Sequence, residues 1–135
     1  MKTSSEKRLE DWKNFRKNIS QLNNEDQMKK TVEWWSKTPF ILQPTIDWDN
    51  YSNWPTAWEL IYEGTYCRSS ISYLIYKTLF YLDWNDNRFK LKLIKDNYEM
   101  HYILLIDDKF VINYDINNIL TIEELPKDLL ILNEI

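Results

Sequence analysis

The chain of 135 residues contains a single glycine, Gly64. Glycine adopts left-handed backbone conformations without steric cost, so tight turns in this chain must be built from Asn and Asp. Phosphate-cradling loops and dinucleotide-binding turns need several glycines within one short segment. The composition therefore excludes P-loop and Rossmann folds.

Composition and charge fit one soluble domain over residues 1–135, since 44% hydrophobic and 16% aromatic residues suffice for a core. The net charge of −4 argues against a nucleic-acid partner. We expect no membrane partner and a cytoplasmic location, because no apolar run is long enough to span a bilayer and residues 1–17 lack the apolar core of a secretory signal. The single cysteine, Cys67, cannot form an internal disulfide, which favours a reducing compartment.

We also expect no metal and no cofactor. One cysteine and one histidine are too few for a structural zinc site, and the aspartates lack the spacing of a calcium loop.

Hydrophobic periodicity changes from helical to extended along the chain. Apolar residues at helical spacing in residues 1–37 predict two N-terminal helices. A short helix is predicted over Pro55–Glu63, followed by a long and largely apolar helix from about Tyr66 to Leu82, capped by Thr65. From Phe89 onward, alternating and continuous apolar runs predict strands.

These patterns predict an α+β fold. N-terminal helices (1–37) and a central helix that carries Cys67 pack on a three- to four-stranded antiparallel sheet, with the helix and sheet contained in residues 54–115. The C-terminal segment, 116–135, is expected to pack back on the core.

Two apolar strands after residue 99 predict a β-hairpin. Because the connecting loop lacks glycine, a three-residue loop is favoured over a two-residue primed turn, and Ile106 then pairs with Phe110. In that register the apolar side chains share one face, and His101 lies opposite Asp115 with Asn113 as its diagonal neighbour.

Cys67, His101 and Asp115 together fit a nucleophilic site. The start of a helix favours a thiolate, and a carboxylate on one imidazole nitrogen fixes the tautomer of the ring. Cys67 would attack an acyl carbon, His101 would act as general base, and Asp115 would orient the ring. The Cys67 N–H and one side chain would bind the oxyanion, for which Trp58 and Tyr66 are candidates.

Residues 54–115 resemble the transglutaminase-like branch of the papain-type thiol fold. The similarity lies in Gly64-Thr65-Tyr66-Cys67, in the strand that begins at His101, and in the strand that ends at Asp115. The resemblance implies a cysteine protease, amidase or transamidase with a protein or peptide partner. Unlike that family, the chain has no run of small residues after the cysteine and no glycine near the hairpin.

Trp54–Ile61 also resembles segments of small tailed-phage proteins, which implies a viral source and a location in the host cytoplasm or the virion. A non-catalytic interaction or structural role on the same fold then stays open. In that case Cys67 is a buried apolar residue and His101 a hydrogen-bonded strand histidine. An enzyme needs a reactive Cys67, whereas a structural protein does not. The sequence leaves the oligomeric state open.

Overall fold

The structure, a computed structural model, describes residues 2–97 and 99–135. Its helices are α1 (Ser4–Ile19), α2 (Asn24–Ser36), α3 (Ala57–Glu63) and α4 (Arg68–Phe80). Its strands are β1 (Phe89–Asp96), β2 (Glu99–Ile106), β3 (Phe110–Asp115), β4 (Asn118–Thr121) and β5 (Leu130–Glu134). No helix within the described ranges is long and apolar enough to cross a membrane.

In the described part of the chain the strands form one antiparallel sheet of five, in the order β4-β3-β2-β1-β5. The predicted count of three or four strands is wrong because the C-terminal apolar run forms an edge strand. Leu130 and Ile131 each remain 56% exposed while the backbone of β5 pairs with β1. An edge strand gains its hydrogen bonds from a single neighbour without burying its side chains, so hydrophobicity alone did not predict it.

The central helix, α4, lies on the sheet with ten of its thirteen residues buried, as its apolar sequence predicts. It begins later than expected, because Cys67 rather than Thr65 is the N-cap. The Cys67 Sγ accepts a hydrogen bond from the Ser70 N–H, and the Ser70 Oγ accepts one from the Cys67 N–H. This reciprocal pair satisfies backbone donors at the start of the helix.

Gly64 lies where α1 and α3 meet. Its φ of +72° ends α3 in the left-handed conformation, and a Cβ at this position would lie 2.5 Å from the Arg8 guanidinium carbon. Arg8 of α1 donates to the Ile61 and Tyr62 carbonyls at 2.8 and 2.6 Å, which satisfies the end of α3. The one glycine of the chain thus combines a positive φ with a close contact between helices.

Thr78 connects three helices through one buried hydroxyl. Its Oγ1 accepts from the indole N–H of Trp12 in α1 at 2.9 Å and from that of Trp35 in α2 at 3.0 Å. The same hydroxyl donates to the Leu74 carbonyl at 2.7 Å. Because both indoles are fully or almost fully buried, their N–H groups have no access to water as an alternative acceptor.

Replacing Thr78 with Val should lower the free energy of unfolding by about 3 kcal/mol, since two buried N–H donors would lose their acceptor. Thr78→Ser keeps the hydroxyl and should cost only about 1 kcal/mol for the lost methyl group. Urea unfolding followed by tryptophan fluorescence measures both. Equal losses in the two variants would contradict the assigned role of the hydroxyl.

Candidate active site

Cys67 is 3% exposed at the start of α4. Its Sγ accepts hydrogen bonds from the Ser70 N–H at 3.4 Å and from the Thr45 hydroxyl at 3.3 Å. Donors of this kind are the partners that a thiolate would need. The Cys67 N–H itself donates to the Ser70 Oγ at 2.9 Å, so the backbone donor expected to bind an oxyanion is engaged within the cap.

The β2–β3 register is the predicted one, because Ile106 pairs with Phe110. Pairing continues to Leu104 and Ile112 and then stops. The next residue of β3, Asn113, has a φ of +68°, a left-handed conformation that interrupts a regular ladder.

The predicted cross-strand pair of His101 and Asp115 does not form, because the ladder is interrupted before it reaches these residues. Asp115 is exposed, and its carboxylate accepts from the Asn118 amide at 2.9 Å and from the Asn117 N–H at 3.2 Å. These two hydrogen bonds, that of Asn118 first, lower the pKa of Asp115. Asp115 therefore forms a local turn contact instead of orienting the imidazole.

A backbone carbonyl orients His101 instead. The ring is 5% exposed, and its Nε2 lies 2.8 Å from the Asn113 carbonyl oxygen. Because a carbonyl only accepts, Nε2 carries the proton of the neutral ring and Nδ1 keeps the lone pair. Burial, followed by the positive charge of Arg68, lowers the pKa of His101 to about 4. At neutral pH the ring is an uncharged base.

The first turn of α4 satisfies the backbone that the interrupted ladder leaves open. Ser69 Oγ accepts from the Tyr102 N–H at 2.9 Å, and Ser72 Oγ donates to the Tyr102 carbonyl at 2.7 Å. The N–H and C=O of one strand residue point to the same side, so both groups would face β3 in an unbroken ladder. Because His101 precedes Tyr102, these bonds fix His101 next to the turn that Cys67 caps.

The Asn113 side chain joins β3 to the same turn. Its amide donates to the Arg68 carbonyl and to the Ser72 Oγ, each at 2.8 Å. Within residues 2–97 and 99–135, however, no hydrogen bond joins the Cys67 Sγ to the His101 ring. The two groups lie on adjacent elements, Cys67 at the start of α4 and His101 on β2.

Arg68 links the site to both strands. Its guanidinium donates to the Tyr114 carbonyl at 2.6 Å, to the Asn113 carbonyl at 3.3 Å and to the Glu99 carboxylate at 3.3 Å. Burial lowers the pKa of Arg68, whereas the charges of Glu99 and Asp115 oppose that shift. Sequence reasoning anticipated neither the bonds of Arg68 nor those of Ser69 and Ser72, although three serines among the first five residues of an apolar helix were a usable signal.

Neither predicted side-chain oxyanion donor lies beside the sulfur. Trp58 contacts Tyr81 with ring centroids 4.8 Å apart, and Tyr81 caps the C-terminal end of α4. A helix of thirteen residues is about 20 Å long, so Trp58 lies toward the end opposite Cys67. Tyr66 is buried with its ring 5.8 Å from that of Trp35, on the side of α2.

A cleft of about 660 Å³ opens over His101 and Arg68. Its walls are mostly apolar and comprise Phe40, Ile41, Leu42, Trp48, Met100 and Ile116, together with Glu99. The segment 38–50 forms one wall and also covers Cys67, because the Ile41 N–H donates to the Tyr66 carbonyl at 2.8 Å and Thr45 contacts the sulfur.

Comparison with solved structures shows the fold. Three structures of LapG from Legionella pneumophila match with a TM-score of 0.81 each: a calcium-bound one at 15% identity, a second at 16% and an EGTA-treated one at 15%. They cover 100% of this chain and, in the same order, 77%, 76% and 75% of the LapG chains. No protein-family model and no curated protein matches.

The likeness shows that this chain shares the fold of LapG over its whole length, an α+β fold as the sequence predicts. The resemblance to phage proteins stays a prediction. One of the LapG structures is calcium-bound. In the part of this chain that the structure describes, no group of three or more Asp, Glu, His or Cys side chains could hold a metal ion.

The low pKa of His101 predicts a specific loss of stability in acid. His101 takes up a proton near pH 6.5 in the unfolded state and only near pH 4 in the folded state. The contribution of the neutral ring to the free energy of unfolding is therefore complete above pH 6.5 and is lost as the pH falls toward 4. The loss should be on the order of 3 kcal/mol. Urea unfolding across this range should show a shallower decline for His101→Gln, and parallel curves would contradict the prediction.

The left-handed backbone at Asn113 predicts that Gly is tolerated there better than Ala. Asn113→Gly and Asn113→Ala both lose the two amide hydrogen bonds, but only Ala meets steric conflict at a φ of +68°. We expect the Ala variant to be less stable by about 1 kcal/mol in urea unfolding. Equal stabilities would mean that the conformation at this position is relaxed in the variants.

Proposed function

We propose that this chain is a thiol acyl-transfer enzyme or hydrolase that acts on an amide in a protein or peptide, with Cys67 as nucleophile and His101 as base. One observation carries the proposal. The hydrogen bonds between Tyr102 and the hydroxyls of Ser69 and Ser72 hold the helix start capped by Cys67 beside His101. The His101 ring is already oriented by the Asn113 carbonyl, which leaves Nδ1 as the free base. The fold shared with LapG is consistent with this assignment.

The proposed reaction starts from a neutral thiol and a neutral imidazole. His101 Nδ1 takes the thiol proton while Sγ bonds to the carbonyl carbon, and the proton passes to the amine as the C–N bond breaks. Water or a second amine then attacks the thioester, giving an acid or a new amide and restoring the thiol. A thiolate–imidazolium pair in the resting site would be unfavourable, because burial and Arg68 disfavour a charged His101.

The site must open before it can act. Segment 38–50 covers the sulfur through Ile41 and Thr45, and the Cys67 N–H must leave Ser70 before it can bind an oxyanion. In this proposal Asp115 acts at a distance through the charge of Arg68, and the Asn113 carbonyl takes the orienting role.

A second candidate is a non-catalytic interaction protein of the kind that the phage resemblance predicts. It is favoured by the 3% exposure of Cys67 and by the engagement of its N–H within the helix cap. Under this alternative the thiol fills the core, and the partner binds elsewhere on the surface.

Alkylation by iodoacetamide separates the two candidates. Cys67 is the only cysteine of the chain, so a mass increase of the native protein reports it alone. The enzyme proposal predicts labelling of the native protein that slows roughly tenfold or more in His101→Gln, because the general base is lost. Labelling that begins only when urea unfolds the protein would contradict it and favour a core thiol.

Acyl transfer itself is tested with p-nitrophenyl acetate. The thiol enzyme should release p-nitrophenolate and gain one acetyl group, whereas Cys67→Ser should do neither at a comparable rate. A His101→Gln variant that acylates as fast as the wild type would exclude the ring as the base.

A further inference from the structure

A second groove, of about 530 Å³, runs along the outer side of α3, and of the predicted site residues only Trp58 lines it. Two aromatic rings line it, those of Trp58 and Tyr62, which are 42% and 52% exposed. Two exposed carboxylates, those of Glu59 and Glu63, lie on the same helix. Leu9, Pro55 and Leu60 complete the apolar part of the wall.

The residues that line this groove include two carboxylates and no Lys or Arg, and the Arg8 guanidinium at the end of α3 donates to backbone carbonyls. Glu59 and Glu63 are four residues apart on α3, where like charges face each other and destabilise a helix. Neither carboxylate forms a salt bridge with a Lys or Arg among residues 2–97 and 99–135. The Glu59 carboxylate does accept the Thr56 N–H at 3.1 Å as part of the capping box, but that contact brings no positive charge.

The aromatic rings supply the complementary feature. Trp58 and Tyr62 are also four residues apart, so they form a parallel row beside the two carboxylates. An ammonium or guanidinium group is attracted both to the face of an indole or phenol ring and to a carboxylate, and its alkyl stem packs on apolar surface. A lysine or arginine side chain is therefore complementary to the aromatic, acidic and apolar parts of the groove.

We propose that this groove binds a lysine or arginine side chain of a peptide. The groove also reaches the thiol site, because Thr45 and Thr65 line it and Thr45 donates its hydroxyl hydrogen bond to the Cys67 sulfur. Trp58 lines the part of the groove farther from Cys67, so the groove would be a specificity subsite for a basic residue some positions along the peptide from the amide that Cys67 attacks. This assignment to a substrate rests on the proposed function, whereas the binding of a basic side chain does not.

The experiment uses Cys67→Ser, which binds without turnover, labelled with ¹⁵N. Two capped pentapeptides of alanine are titrated, one with a central lysine and one with norleucine, which has a similar aliphatic chain without the charge. We expect the lysine peptide to bind roughly tenfold more tightly, to shift the Trp58 indole resonance, and to weaken as salt increases.

The matched variants are Glu63→Gln and Glu123→Gln, which change the net charge equally. Glu123 lies outside the groove, near β4. Only Glu63→Gln should reduce the preference for the lysine peptide, from about tenfold to about twofold. The remaining preference would come from the attraction of the ammonium group to the aromatic rings. Equal binding of the two peptides, or an equal effect of both variants, would overturn the inference.

The two experiments distinguish failure of the proposed enzyme from failure of the basic-peptide site. If iodoacetamide never labels native Cys67 but the lysine preference persists, the substrate assignment is overturned and the basic-peptide site stands. If Cys67 is reactive and His101-dependent while lysine and norleucine bind alike, the subsite is overturned and the enzyme stands.

Discussion

The structure depends on the insertion of the first turn of α4 into an opened β-ladder. Tyr102 would otherwise bury a strand N–H and C=O without partners, and each such group costs about 1–3 kcal/mol. Ser69 and Ser72 supply those partners, and Asn113 closes the opposite side with its amide. The orientation of the imidazole, the position of the thiol and the partial burial of the Arg68 guanidinium all follow from this single junction between helix and sheet.

Periodicity and composition predicted much of this fold, because both report burial. The helical spacing of the N-terminal third, the buried central helix and the pairing of Ile106 with Phe110 all follow from which side chains must leave water. Asn113 could not be predicted in the same way. Its left-handed backbone depends on oxygen atoms that α4 supplies from 45 and 41 residues away, and no local pattern encodes such partners.

The electrostatics of the site are those of an uncharged imidazole beside a partly buried cation. Arg68 donates to two carbonyls of β3 and to a carboxylate of β2, so it joins the two strands. Its charge also lowers the pKa of the His101 imidazole. Sequence reasoning correctly placed thiol and imidazole on a helix and an adjacent strand. It assigned the wrong orienting group because Asp115 matched by spacing, whereas an interrupted strand turned a carbonyl toward the ring.

The turns of this protein also bear on how such sequences diverge. Among residues 2–97 and 99–135, five residues other than glycine have positive φ, and all are Asp or Asn: Asp83, Asn97, Asp107, Asp108 and Asn113. As far as backbone conformation is concerned, Asp, Asn and Gly exchange at small cost at such sites, while most other residues are disfavoured. A lineage can therefore gain or lose nearly all its glycines with its topology intact. Glycine signatures are then poor markers of this fold.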